Sequence, residues 1–204
     1  MEAFALLRDA ATEWWRNWLR LTVLNLVWMV SWLLVLTGPP VTLAVYAYLE
    51  RLAANDEMTT GEFLAEVRRN LLTGWLWALP VLALVASLLV SLPFYAQFAE
   101  LWARAAELAV VVLVLGWLFV QFFALPYLFV QGSRSLGQAY RNAALTAFAS
   151  PLYSLVVAVA LLVLLVLSVR FMGVTFLFSP VLIALAGTLA VKERLRRFGI
   201  AEGT

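Results

Sequence analysis

Five runs of this chain contain no Asp, Glu, Lys or Arg: residues 21–37, 71–92, 108–130, 152–169 and 174–191. Each is near the ~20 residues that a helix needs to cross the hydrocarbon core of a bilayer. A sixth segment, 40–49, is also apolar, but it would be only about 15 Å long as a helix at ~1.5 Å per residue. Hydropathy alone leaves it as a re-entrant or partly inserted stretch. The pattern predicts an all-α fold, a polytopic transmembrane helical bundle with a short second helix after a Gly38-Pro39-Pro40 turn. Ahead of the first run, Phe4, Leu7, Ala11, Trp14 and Trp18 recur at helical spacing opposite Arg8, Asp9, Glu13, Arg16 and Arg20. That spacing predicts an amphipathic interfacial helix over 1–20. Trp14, Trp15 and Trp18 beside basic residues mark a headgroup-level anchor, although a partner-binding helix would show the same pattern.

The distribution of positive charge settles how the short segment is expected to run. If 40–49 returns the chain to its starting side, that side holds Arg8, Arg16, Arg20, Arg51, Arg68, Arg69, Arg134, Arg141, Lys192, Arg194, Arg196 and Arg197, and the other side only Arg104 and Arg170. A non-crossing segment would divide the 14 Lys and Arg residues far more evenly. The bias of Lys and Arg toward the cytoplasm therefore predicts six crossings arranged as three hairpins, with both termini cytoplasmic. The chain then forms one integral membrane domain over 1–204: the interfacial helix, a bundle over 21–191 and a basic cytoplasmic tail over 192–204. A second crossing this short requires the Gly38-Pro39-Pro40 turn to lie below the outer surface, or Glu50 and Arg51 to be drawn inward. Either is tolerable only where protein covers the backbone, so the hairpin is expected to be buried in the bundle. Acidic residues early in the chain, and no short apolar run before a small-residue cleavage site, predict that the first span is retained rather than removed as a signal peptide.

The three hairpins share a faint motif. An Arg-Asn pair precedes the first, third and fifth crossings: Arg16-Asn17, Arg69-Asn70 and Arg141-Asn142. The last two follow capping-box patterns, Thr59 with Glu62 and Ser135 with Gln138, each expected to start an amphipathic helix that leads into a membrane helix. The six residues are candidate cytoplasmic contacts for an anion or lipid headgroup. In the blander reading Arg snorkels to phosphate and Asn hydrogen-bonds a neighbouring helix, and this is the reading favoured. The second and sixth crossings also match loosely, through Pro40-Val41 and Pro180-Val181 at their starts.

Uncharged polar residues inside the runs are Asn25, Ser31, Thr42, Ser87, Gln121, Ser168 and Thr188. Gln121 falls near the middle of its span, where an unpaired amide would cost several kcal/mol, so it must face protein, water or a ligand. A pore or sugar site could combine it with Asn25 and the stacking surface of Trp28; an interhelical hydrogen bond is the simpler expectation. Pro80 and Pro126 are expected to kink their helices, and Pro151 to start one.

Composition narrows the chemistry. The chain is 65% hydrophobic and 13% charged with a mean hydropathy of +0.95, which leaves no room for a water-soluble domain. The net charge of +2 is spread over membrane-proximal segments, so no nucleic-acid partner is expected. The absence of Cys and His removes disulfides, thiolate chemistry, the usual zinc ligands and the common imidazole base. No phosphate-binding loop, HExxH pair or nucleophile elbow is present, and no carboxylate lies mid-span to relay protons. Glu50 or Glu107 could act on lipid at an interface, but neither has a visible partner group. The chain is therefore expected to be no enzyme and to use no metal and no cofactor.

The stretch 24–80 resembles the YesL-like family of bacterial integral membrane proteins, a domain of unknown function. The likeness is carried by Asn25-Leu26-Val27-Trp28, by Leu36-Thr37-Gly38-Pro39-Pro40-Val41-Thr42-Leu43-Ala44 with Tyr46, and by Phe63 followed by Arg68-Arg69-Asn70-Leu71-Leu72 with Trp75. A looser portion runs from Pro126 through Arg141-Asn142 to Ser150-Pro151, and Pro40 stands where the family would have Ala. The resemblance implies a bacterial inner-membrane protein accessory to, or sensing, a carbohydrate uptake system, with the bilayer and a carbohydrate transporter as partners. It carries no catalytic or binding residues onto this chain. The competing expectation is a small channel or transporter that conducts a solute through its own bundle.

Overall fold

The structure is a computed structural model that describes residues 2–131, 134–149 and 179–197 and, between the last two, the helical positions 156–157, 159–160, 163–164, 167 and 170. The described residues hold eight helices and no strand: α1 (Glu2–Arg16), α2 (Trp18–Leu33), α3 (Gly38–Leu52), α4 (Thr60–Arg69), α5 (Leu71–Tyr95), α6 (Leu101–Val130), α7 (Leu136–Ala149) and α8 (Ser179–Arg197). The fold is all-α, as expected. Two of these helices, α5 and α6, are long and apolar enough to cross a membrane. At 25 and 30 residues they measure about 37 and 45 Å. Their surroundings are unlike those of core helices in a soluble domain, because only 11% of the most apolar window of α5 and 28% of that of α6 are buried. Leu79, Leu89, Val112 and Leu113 all point outward.

Two of the other expected crossings are shorter helices. With 16 and 15 residues, α2 and α3 reach about 24 and 22 Å, short of the ~30 Å hydrocarbon thickness. The expected crossing over 152–169, with Pro151 and Ser168, lies largely outside the described residues, as does the start of that over 174–191. Among the described residues, two helices are of spanning length. The second helix is also longer than expected at both ends. Gly38, Pro39 and Pro40 do not form the turn; they are the first turn of α3, where a missing N–H costs nothing and a preset φ suits the helix. The reversal falls on 34–37, with Val35 in the left-handed region at φ 55°. Its tip is apolar and open, Leu33 being 82% and Leu36 72% exposed.

Helix α3 is the hub of the bundle, and of the hairpin expected to be buried it is this helix that is, while the reversal and much of α2 are exposed. From Gly38 to Ala47 every residue is buried, and the helix packs against α2, α4, α5, α6 and α8. An apolar surface all round leaves it no solvent face to present. Gly74, in the first turn of α5, sets how closely α5 meets it: a Cβ there would stand 2.7 Å from Pro40 N and 2.8 Å from Pro39 C. The tip of the α2–α3 hairpin therefore sits beside the start of α5 rather than its far end. A second close approach occurs at Gly187, where a Cβ would lie 2.9 Å from the carbonyl oxygen of Phe122. That carbonyl belongs to the residue four before Pro126, so proline leaves it without a helical donor. The small residues Ala184, Ala186, Gly187 and Ala190 thus face inward, with Gly187 against α6.

Charge gathers at one end of the bundle. Arg20 pairs with Glu57 at 2.8 Å, Arg51 with Asp56 at 2.6 Å and Glu62 at 3.0 Å, Arg134 with Glu66 at 2.9 Å, and Lys192 with Glu50 at 3.1 Å. These pairs tie the start of α2, the end of α3, α4, the segment before α7 and the last turns of α8 to one another. Residues 192–197, expected as a tail, continue α8. Helix α1 lies against α8 with Leu6, Ala10 and Trp14 buried, while Phe4, Trp15 and Trp18 are exposed. The stripe facing protein differs from the expected Phe4-Leu7-Ala11-Trp14-Trp18 face, because α1 is apolar on two sides and periodicity does not say which side meets the bundle.

Candidate functional site

Gln121 is buried, at 8% exposure, and both ends of its amide are engaged. Its Oε1 accepts from Trp77 Nε1 of α5 at 2.8 Å, and its Nε2 donates to the Tyr140 hydroxyl of α7 at 2.8 Å. Tyr140 in turn stacks on Trp117 with ring centroids 5.3 Å apart. Nearly two turns further on, the Tyr127 hydroxyl meets Thr146 Oγ1 at 2.6 Å. The pair pins α7 to α6 a second time. Trp117 Nε1 is buried without a hydrogen-bond partner among the described residues.

Asn25 and Trp28 bond to other helices. Asn25 is fully buried, and its Oδ1 accepts from the backbone N–H of Val181 at 3.3 Å. This N–H belongs to the first turn of α8, where intrahelical acceptors are lacking, so Asn25 caps α8 from another element. Its Nδ2 lies 3.8 Å from Met29 Sδ. Trp28 Nε1 donates to Thr42 Oγ1 at 2.7 Å, Trp32 Nε1 donates to the same oxygen at 3.1 Å, and that hydroxyl donates to Gly38 O at 2.8 Å. One hydroxyl thereby fills its whole hydrogen-bonding capacity and clamps α2 onto the start of α3. Trp28 also meets Tyr46 edge-on at 6.3 Å. Ser31 and Thr188 bond to carbonyls of their own helices, Trp28 O at 2.6 Å and Ala184 O at 3.0 Å. Ser87 is exposed. Asn25 and Trp28 thus have partners distinct from those of Gln121.

The Arg-Asn pairs divide into two kinds. Asn17 Nδ2 donates to Glu13 O at 3.2 Å and Glu13 Oε1 at 2.8 Å, while Arg16 pairs with Glu13 at 3.0 Å. Asn70 Nδ2 donates to Glu66 O at 2.8 Å and Glu66 Oε2 at 2.9 Å, and Arg69 lies 3.8 Å from Glu66. Both are one device, Glu-x-x-Arg-Asn, in which Asn closes an amphipathic helix and the next helix sets off at once. The bend sits at Asn, with φ −115° at Asn17 and −97° at Asn70. The third pair departs from it. Gln138 replaces the Glu, α7 runs unbroken through Arg141 and Asn142, and Asn142 Nδ2 donates to Gln131 Oε1 at 3.0 Å. Arg141 is exposed. Among the described residues none of the six bonds to another pair. The signal that separates them was in the sequence: Glu13 and Glu66 stand three residues before Arg16 and Arg69, and Gln138 three before Arg141.

Helix α4 starts as expected, with Thr59 and Glu62 forming both halves of a capping box. The Thr59 backbone and hydroxyl donors, together with Arg51, hold the Glu62 carboxyl down to about 2 from its ordinary value of 4.5. At Glu66 partial burial pushes upward, but Arg134, Asn70 and Arg69 outweigh it and keep the carboxyl below its ordinary value. Ser135 accepts from Gln138 N at 3.5 Å, at the long limit for such a bond. Among the described residues no three Asp or Glu side chains converge as a metal site would require. No protein-family model, curated protein or solved structure matches this chain.

Proposed function

We propose that this chain is a bacterial inner-membrane protein, accessory to or sensing a carbohydrate uptake system, rather than an enzyme or a conduit in its own right. In this reading three hairpins make six passes with both termini cytoplasmic, and α2–α3 is a short first hairpin whose tip stays within the bilayer. The outward apolar surfaces of α5 and α6 support burial in lipid, since an exposed apolar area of that size needs a cover. The collection of Arg20, Arg51, Arg134 and Lys192 at one end supports one cytoplasmic face. The uptake system enters from the resemblance to the YesL-like family. The observation that carries the reading against conduction is that Asn25, Trp28, Thr42 and Gln121 hydrogen-bond neighbouring helices. Affinity purification from native membranes tests the role: transporter subunits should co-purify, and their repeated absence would count against it.

A second reading, solute conduction through the bundle, draws on the open Trp117 Nε1 donor beside Tyr140 and Gln121. Flux of ions and small sugars into liposomes separates the two. Transport weakened by Gln121→Leu would establish conduction, and no flux from folded, inserted protein would leave the accessory role.

A further inference from the structure

Four aromatic side chains close on one another where α5 turns into α6. Phe94 meets Tyr95 with ring centroids 5.3 Å apart and Phe98 at 5.4 Å, and Trp102 meets Phe98 at 5.3 Å and Tyr95 at 6.4 Å. The contacts form a closed circuit that ties the last turn of α5 to the first turn of α6, three of them edge to face as ring quadrupoles favour. Backbone bonds from Gln97 N to Phe94 O at 3.3 Å and from Phe98 N to Tyr95 O at 3.1 Å hold the reversal. The cluster is nevertheless no buried core, with Phe94 51%, Trp102 56% and the adjoining Leu101 85% exposed. Among the described residues, neither the Trp102 indole N–H nor the Tyr95 hydroxyl has a hydrogen-bond partner.

On the membrane reading above, helix length and charge say what covers these rings. Counted from Leu71 at ~1.5 Å per residue, the ~30 Å hydrocarbon layer ends near Ser91, which puts Phe94 and Tyr95 about 5 Å beyond it. On α6 the charge-free run ends at Leu108, and Trp102 stands about 9 Å outside it along the helix. Both counts reach the headgroup layer or its rim, roughly 5–8 Å deep on each side. Trp and Tyr collect at that level because an apolar body and a polar tip each find their own medium there. Charge begins there too, with Glu100 and the Arg104–Glu107 pair at 3.0 Å.

We propose that this aromatic circuit is the outer-leaflet anchor of the α5–α6 hairpin, seated among the lipid headgroups, where it fixes how deep both helices sit. In the proposed topology Arg104 and Arg170 are the only cations at this end, so ring chemistry rather than attraction to anionic lipid sets the seat. The test reconstitutes the full chain, which contains no cysteine, in phosphatidylcholine vesicles with a nitrobenzoxadiazole label on Leu101→Cys, beside the rings, or on Leu118→Cys, near the middle of α6. Phosphatidylcholine carrying a nitroxide at its headgroup or deep in its acyl chain reports depth, and a water-soluble nickel chelate reports exposure to water. The Leu101→Cys label should be quenched at least about twofold more by the headgroup nitroxide than by the deep one, and the Leu118→Cys label in the reverse order. Adding Trp102→Ala should raise nickel quenching of the Leu101→Cys label about twofold, whereas Trp102→Tyr, or phosphatidylglycerol in the vesicles, should leave it unchanged. The labelled parent keeps all four rings, so its depth decides the matter even if Trp102→Ala fails to fold. A Leu101→Cys label quenched by nickel and not by the headgroup nitroxide, with Leu118→Cys still quenched by the deep one, would overturn the anchor and leave the membrane reading standing. Equal nickel quenching with and without the Trp102 ring, or a dependence on phosphatidylglycerol, would overturn the part given to the rings. Quenching of neither label by lipid would overturn the membrane reading and the anchor with it.

Discussion

Replacing Gly74 with alanine separates a real backbone contact from a merely small residue. The added Cβ would meet Pro40 N at 2.7 Å, Pro39 C at 2.8 Å and Pro40 Cα at 2.9 Å, all main-chain atoms of a helix turn stiffened by two prolines. None of the three can rotate away, so α5 must separate from α3 or bend. Overpacking of this kind costs about 1–3 kcal/mol, and the backbone setting puts Gly74→Ala toward the upper part of that range. Alanine returns up to ~1 kcal/mol of helix propensity, so the net loss should be about 1–2 kcal/mol. Gly116 is the control, because nothing stands within 4 Å of its added Cβ, and Gly116→Ala should be neutral or stabilising by up to ~1 kcal/mol. Reversible unfolding in mixed micelles, followed by tryptophan fluorescence, reads the difference of roughly 1–3 kcal/mol between the variants. A Gly74→Ala protein as stable as Gly116→Ala would refute the close packing of α3 on α5.

Asn25→Leu should destabilise by about 1–3 kcal/mol in the same unfolding assay, because it leaves the Val181 N–H buried without an acceptor. Gln121→Leu removes two interhelical bonds worth ~0.6 kcal/mol each on average in membranes, so a loss of roughly 1 kcal/mol is expected, with no change in liposome flux if the accessory role holds. For Glu62, whose carboxyl is lowered to about 2, stabilisation of α4 should be complete above its ordinary 4.5 and fade as pH falls from there toward 2. Thr59→Ala should raise the Glu62 midpoint toward 4.5, read by nuclear magnetic resonance titration; an unmoved midpoint would deny the capping box.

Much of this architecture is written in local pattern. Charge-free runs located α5 and α6 because nothing but length and composition is needed for a helix whose surface stays apolar. Thr59 and Glu62 were legible because a capping box acts over three residues. The Gly38-Pro39-Pro40 block was misplaced, since two prolines suit a turn and a first helical turn equally and only the packing of α3 on Gly74 decides between them. The partners of Gln121 were hidden by distance along the chain, Trp77 lying 44 residues before it and Tyr140 19 after it. Aromatic donors near spans offer many such pairings and no periodicity to choose among them. The third Arg-Asn pair looked like the other two because a dipeptide does not report the residue three positions earlier, where Gln138 stands in place of Glu13 and Glu66.

In the proposed topology the chain enters the membrane through α2, returns through α3 and crosses again through α5. Because the chain contains no cysteine, single cysteines at Val35, Asn55 and Gln97 report their positions by labelling with a membrane-impermeant maleimide in spheroplasts and in inverted vesicles. Asn55→Cys should label only from the cytoplasmic side, Gln97→Cys only from the outside, and Val35→Cys from neither. Labelling of Asn55→Cys and Gln97→Cys from the same side, or of Asn55→Cys from the outside, would contradict it.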